Sequence, residues 1–201
     1  MRNIDLDFSS NAEALVGSER YAVQGHRTGS TDMGDVISNA QLLFCCVDTP
    51  PTYSGDADLS RVRKVVEQLD EDSEHALVMK STVPVGTGAK VRHRLDERGL
   101  KHIGYASNPE FTAEGTAIRD FQQPDRIVVG ASDDATFEVI RKEYRPVITQ
   151  SFEAPPGLPR PFSYSGTPLF TTSLTSAEMI KYSANSFLAM KIGFANEIAN
   201  I

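Results

Sequence analysis

Two pairs of side chains in this 201-residue chain have the types and spacing for chemistry. Glu110 and Glu114 stand four residues apart, directly after Ser107-Asn108-Pro109, and Lys181 and Asn185 stand four apart near the other end. Asn108 can cap a helix, Pro109 suits its first position and Glu110 its first turn. A helix starting there puts Glu110 and Glu114 on one face. Such acids can serve only to complement the helix dipole, at about 0.3–1 kcal/mol each. Two like charges on one face nonetheless repel unless a cation or a ligand meets them. Lys181 sits among apolar neighbours, where an ammonium is costly unless it is paired or reaches out to water. It is either on the solvated face of a helix or, with the Asn185 amide, a holder of developing oxyanion charge. On residue types and spacing alone both readings stay open: structural support, or part of an enzyme active site that takes in the stretch Ser107 to Gly115 with Lys181 and Asn185.

These groups need a scaffold, and the pattern from residue 41 onward supplies one. Gln41–Val47 is a short continuous apolar run, expected of a strand buried on both faces. Asp58 to Leu69 carries Leu59, Val62, Val65, Val66 and Leu69 at helical spacing, with Asp58 as a plausible N-cap. His75–Lys80 predicts a strand, Val85–Arg98 a helix ended by Gly99, His102–Ala106 a third strand, Arg126–Ala131 a fourth, and Asp134–Tyr144 a helix. Alternating strands and helices imply an α/β fold with a Rossmann-like open parallel sheet. Residues 1–35 are polar and weakly patterned, and no element is assigned there. Residues 151–170 are rich in Pro, Gly and Ser and read as a loop. Thr175–Ile201 predicts a long helix, with Thr175 and Glu178 in a capping-box pattern.

Ligands of an open α/β sheet bind beyond the carboxyl ends of its strands. Three polar segments fall at such ends: Asp48–Pro51, Ser81–Pro84 and Ser107–Glu110. In a parallel sheet all three line one edge. Thr49 and Thr82 then either mark strand ends beside proline or contact a ligand.

The remaining features exclude more than they assign. A net charge of -7, with no basic run, argues against a nucleic-acid surface. No apolar stretch approaches the ~20 residues that span a bilayer, and the N-terminus does not resemble a signal peptide. A cytoplasmic protein is the expectation. The adjacent Cys45 and Cys46 are expected inside a buried strand with no cationic neighbour to stabilise a thiolate, so neither is read as a nucleophile. His26, His75, His93 and His102 show no ligand spacing, and no metal site is expected. Gly86-Thr-Gly88 opens a helix after a strand but lacks the third glycine of a dinucleotide turn, which weakens it as a phosphate cradle.

At these same residues the chain resembles the UDP-glucose/GDP-mannose dehydrogenase family. The matching text is FCCVDTPP (44–51), KSTVPVGT (80–87), SNPEFTAEGTAIRDF (107–121), PDRIVVG (124–130) and AEMIKYSANSFLAMKIGFANEIANI (177–201). The combination of NPEF-x-x-EG with the later K-x-x-x-N is specific, and the wording of PDRIVVG and SANSFLAMKI leans to the UDP-glucose branch. The resemblance implies an NAD-dependent oxidation of a sugar C6 hydroxyl to a carboxylate in two hydride transfers. Carried over by position, Thr49 and Thr82 contact NAD, and Thr82 also orders a catalytic water. Glu110 is the general base near the water that hydrolyses a thioester. Glu114 lies between cofactor and substrate, Lys181 and Asn185 hold the oxyanion, and Phe111 joins Glu110, Glu114, Lys181 and Asn185 around the nucleotide sugar. The resemblance divides the chain into a partial NAD-binding domain at 1–150, a linker at 151–172 and the start of a central helical domain at 173–201. A homo-oligomer through the terminal helix is expected.

The chain departs from the family in several places. The family's nucleotide-sugar domain has no counterpart, and residues 151–170 look longer than the family's usual connection. The family's opening strand, G-x-G-x-x-G turn and helix have no counterpart in MRNIDLDF or in the residues after it. Its nucleophilic cysteine lies in text beyond Asn-Ile at 200–201. The expectation is a truncated chain, inactive alone because it lacks the thiolate and the pyrophosphate loop. The alternative is a degenerate remnant that acts only as a binding or assembly module.

Overall fold

The structure is a computed structural model and describes residues 21–23, 28–30, 32–71, 75–152 and 166–201. His26 and most of the expected loop at 151–170 lie outside the described residues. A short antiparallel hairpin, β1 (Tyr21–Val23) and β2 (Thr28–Ser30), precedes helix α1 (Met33–Asn39). No hydrophobic pattern in the sequence marks the hairpin. The main sheet then holds β3 (Leu42–Cys45), β4 (Ala76–Met79), β5 (Gly104–Ser107), β6 (Ile127–Ala131) and β7 (Leu169–Thr172), in that spatial order. Helices α2 (Ser60–Gln68), α3 (Thr87–Glu97), α4 (Ala117–Gln122), α5 (Asp134–Glu143) and α6 (Arg145–Thr149) fill the connections, and α7 (Leu174–Ala199) closes the described chain.

Strand residues alternate between two buried faces, which is why the strands read as unbroken apolar runs. Leu43, Cys45, Leu77, Met79 and Tyr105 point to the face covered by α1, α2 and α3, where Val62, Val66, Val91 and Leu95 meet them. Leu42, Ala76, Val78, Ala106, Ile127 and Val129 point to the other, where Ile140 and Tyr144 cover them. Removing a side chain such as Leu77, which is fully buried, from water stabilises by about 2 kcal/mol. Arg98 ties two helices together by donating to the carbonyls of Val66 and Leu69 at the end of α2.

Three expectations need correction. The sheet is not all parallel: β3, β4 and β5 run together, but β6 pairs antiparallel with β5 and β7 runs parallel to β6. Alternation of buried residues marks a strand without giving its direction. Residues 169–172 form β7, where a loop is expected from composition through residue 170. The helix after Asp58 begins at Ser60, and Asp58 reaches it by accepting from the Ser60 N–H at 2.8 Å.

The start of α5 is fixed by Asp133, whose carboxylate accepts from the Thr136 N–H at 2.8 Å and from its hydroxyl at 2.8 Å. Burial opposes that charge, but the hydrogen bonds from Thr136, Ser132 and Ala135 outweigh it and hold the carboxyl below its usual range. A depressed carboxyl contributes stability above its unfolded pKa, and the contribution is lost as pH falls through the folded value. Asp133→Ala is expected to cost about 1 kcal/mol at neutral pH. Urea titrations of the two proteins should converge as the pH falls below ~3.9 and through the folded value; a constant gap across pH 2–7 would contradict this.

Candidate active site

The three polar segments do share one edge. Cys45 pairs with Met79 and Met79 with Ser107, so the chain leaves all three parallel strands side by side. Thr49 Oγ1 donates to the Thr82 carbonyl at 2.7 Å, and Ser81 Oγ donates to the carbonyl of Val47, the residue before the first segment. These bonds lace the first segment to the second. The Thr82 hydroxyl bonds to nothing among the described residues and is available to a ligand.

The third segment does not start a helix. Residues 108–113 form no regular element, a turn follows at 114–116, and α4 begins only at Ala117. Asn108 is buried and its side chain is taken by the fold: Nδ2 donates to the Val128 carbonyl at 2.8 Å, and Oδ1 accepts from the Tyr144 hydroxyl. The capping chemistry of Asn108 is spent across the sheet. Glu110 and Glu114 therefore do not share a helical face. Glu110 is partly buried, whereas Glu114 is exposed in the turn.

A lysine given no role by the sequence, although it heads the segment KSTVPVGT (80–87), meets Glu110. Lys80, the residue after β4, places Nζ 2.7 Å from Glu110 Oε2, with only 9% of its side chain exposed. Nζ also donates to the Tyr144 hydroxyl at 3.2 Å and lies 5.7 Å from the centre of the Phe121 ring. Burial opposes the ammonium, but Tyr144 and Glu110 outweigh it and raise the pKa above the ordinary lysine range. A lysine closing a fully buried strand is the one sequence signal that could have found it. Burial likewise pushes the Tyr144 phenol up, against the Lys80 charge.

Lys181 arrives from α7. Its Nζ stands 5.4 Å from the centre of the Phe111 ring, and the Arg126 guanidinium stands 4.2 Å from it. Burial pushes the Lys181 ammonium below its usual range; Glu110 opposes the fall, and Lys80 and Arg126 add to it. Lys181, Phe111 and Glu110 are thus brought together. Asn185 lies one turn further along α7 and is exposed.

The start of α7 is held by contacts other than those its local sequence suggests. Ser173 caps the helix, accepting from the Ser176 N–H at 3.1 Å, so Thr175 is not the cap. Glu178 is not part of a capping box. It is buried, and its two carboxylate oxygens accept from the Gly86 and Gly88 N–H groups, each at 2.6 Å. Gly86 has φ +92°, and a Cβ on Gly88 would lie 3.0 Å from Glu178 Oε1. The glycine turn is a cradle for an anion, and the anion is the protein's own carboxylate.

The two cysteines have unlike surroundings. Cys45 is buried and burial lifts its thiol to about 11. Cys46 follows the strand end and, against expectation, has a cationic neighbour, Lys80, within electrostatic reach, but burial outweighs that charge and pushes the thiol up to about 12. Among the described residues no cluster of His, Cys, Asp and Glu could hold a metal, and no helix is long and apolar enough to cross a membrane.

Residues 13–148 match the NAD binding domain of the UDP-glucose/GDP-mannose dehydrogenase family, and residues 175–201 match its central domain. The chain belongs to this family. The UDP-glucose 6-dehydrogenase of Rickettsia felis is 36% identical over 185 residues, which are 90% of this chain and 38% of that protein. The corresponding enzyme of Haloferax volcanii is 37% identical over 193 residues, 91% of this chain and 41% of that protein. A UDP-glucose dehydrogenase from Pyrobaculum islandicum superposes with a TM-score of 0.68 at 32% identity, over 84% of this chain and 37% of that one. A GDP-mannose dehydrogenase from Pseudomonas aeruginosa does so with a TM-score of 0.70 at 30% identity, over 85% and 37%. This dehydrogenase-family chain therefore spans about two-fifths of the length of the curated relatives it matches. It carries an NAD-binding domain of nucleotide-sugar dehydrogenases, with Lys80, Glu110 and Lys181 gathered at the sheet edge.

Proposed function

We propose that this chain contributes the carboxylate and ammonium groups of an NAD-dependent nucleotide-sugar 6-dehydrogenase acting on UDP-glucose. One observation carries the reading. Lys181, far from Glu110 in sequence, stands against Phe111, which follows Glu110 directly, at the edge where the parallel strands end. A carboxylate and an ammonium so placed can serve opposite ends of one proton-coupled step.

The roles follow from the surroundings. Glu110, partly exposed, accepts a proton at its carboxylate from the sugar hydroxyl or an attacking water. Lys181 offers its ammonium to the oxygen on which negative charge develops, and Asn185, one turn on, adds an amide donor. Phe111 gives the substrate an apolar wall between the two cations on its ring, and Glu114 lies on the exposed side of the same turn. The edge donors fit part of a dinucleotide. Thr82 offers a free hydroxyl, and Thr49 is tied to the same turn, which suits neutral amide and ribose groups. The glycine turn at 86–88 is occupied by Glu178 and does not take the pyrophosphate. NAD, when bound, supplies the hydride acceptor. The boundary near residue 150, with α7 opening a central domain, belongs to the same proposal.

Calorimetry on the 201-residue chain tests this. UDP-glucose should bind saturably, and Lys181→Ala should weaken it by about tenfold or more. Because burial raises both the Cys45 and the Cys46 thiols, no sustained NADH formation is expected from these residues with NAD and UDP-glucose. The second reading, an assembly module, is favoured by α7, where Phe187, Leu188, Met190, Ile192 and Phe194 are all more than half exposed. No heat with either ligand, together with self-association in light scattering, would favour that reading instead. A homo-oligomer along α7 is compatible with both.

A further inference from the structure

We propose that Lys80 is a positioning residue for Glu110, holding its carboxylate in one orientation at the end of a buried hydrogen-bonded relay that begins on the backbone of β6. The proposal rests on the reading of Glu110 as the proton-accepting group. Residues 108–113 form no helix or strand, so Glu110 has no regular backbone to hold it. A group that must act within a fraction of an ångström needs support from rigid neighbours. Both carboxylate oxygens receive it: Oε1 accepts from the Phe111 N–H at 2.9 Å, and Oε2 lies 2.7 Å from Lys80 Nζ.

Lys80 is itself fixed. The Val128 carbonyl accepts from Asn108 Nδ2, which leaves Asn108 Oδ1 as an acceptor. The Tyr144 hydroxyl therefore donates to Asn108 Oδ1, and its remaining lone pair accepts from Lys80 Nζ. Each donor and acceptor has one consistent assignment, which makes the relay directional. The Phe121 and Tyr144 rings stand 5.7 and 5.8 Å from Nζ and keep the ammonium in its slot. Four segments of the fold, at β4, β5, β6 and the end of α5, thus converge on one carboxylate.

The test uses the 201-residue chain with labelled side chains. In the wild type, NMR should show a slowly exchanging Lys80 ammonium signal with a through-hydrogen-bond coupling to the Glu110 carboxyl carbon. Tyr144→Phe should keep the coupling but broaden the signal. Absence of the coupling in the wild type overturns the proposal. In UDP-glucose titrations, Lys80→Met should weaken binding by about tenfold, and Lys80→Arg should recover part of the loss. In a Glu110→Gln background, Lys80→Met should add nothing, because Lys80 acts through Glu110. Losses that multiply, or a folded Lys80→Met that binds as the wild type does, overturn it. If Lys80→Met does not fold, the Lys80→Arg and Tyr144→Phe proteins carry the same comparison. A wild type that binds no UDP-glucose would sink the proposed function, and the coupling alone would then support or overturn the positioning.

Discussion

Gly130→Ala should lower stability by about 3 kcal/mol, the upper part of the range for overpacking a filled interior. A Cβ at this position would lie 2.4 Å from the Ser173 carbonyl oxygen, 2.7 Å from its carbon and 2.9 Å from Leu174 Cα. All three are backbone atoms, so no rotamer change relieves the clash. Either β6 or the start of α7 must move by about 1 Å to restore ordinary packing. Neither is free, since Gly130 pairs with Ser107 on one side and Thr172 on the other. Urea unfolding followed by circular dichroism reads the loss, with Gly193→Ala as the control. Nothing lies within 4 Å of a Cβ at Gly193, inside α7, so alanine there should gain up to about 1 kcal/mol of helix propensity. A Gly130→Ala protein within about 0.5 kcal/mol of wild type, on the measured scale of neutral surface changes, would contradict the close approach.

Glu178→Ala is expected to cost about 3 kcal/mol, because it strands the buried Gly88 N–H and the partly buried Gly86 N–H, which now share a charged acceptor. Glu178→Gln is the sharper variant. The amide has nearly the same shape but only one acceptor oxygen, so its NH2 must face the Gly86 or the Gly88 N–H. It should cost nearly as much as alanine, roughly 2–3 kcal/mol. A nearly neutral Glu178→Gln would mean that one of the two 2.6 Å bonds is dispensable. Both variants should also weaken UDP-glucose binding more than their global stability predicts, because Lys181 lies one turn beyond Glu178. Equal affinity in folded Glu178→Gln would separate the clamp from the site.

The sequence was most legible where burial is two-sided or periodic. Leu42–Cys45 and Ala76–Met79 declare themselves because every residue is apolar or nearly so, and Val62, Val65, Val66 and Leu69 trace one helical stripe. The strand direction of β6 was invisible because the same alternation serves either direction. Asn108-Pro109-Glu110 misled because its local chemistry is that of a helix start, while Val128 and Tyr144, distant in sequence, outbid the backbone for the Asn108 amide. Glu178 misled in the same way, since nothing local reveals that Gly86 and Gly88 will face it. For the site, Glu110 and Lys181 were legible as types at spacings and Phe111 only through the family resemblance, and the three do meet. Lys80, Arg126 and Tyr144 were not, because their partners come from other strands. The family resemblance named residues with roles; the structure added the groups that hold them.

Helix α7 is 26 residues long, roughly 39 Å at 1.5 Å per residue, yet only Ala177 and Glu178 near its root are buried. Mechanically it is a cantilever bolted at one end. A 5° tilt about the Glu178 bolt moves Ala199, some 30 Å away, by about 3 Å, but shifts Lys181 by less than about 0.5 Å. Motion at the tip is therefore geared down about sevenfold at the ammonium. A partner or further domain gripping Phe187 to Ile198 could swing widely without dislodging Lys181, unless the force loosened the bolt itself. The glycine turn that holds Glu178 sets how much load this helix can bear before the site feels it.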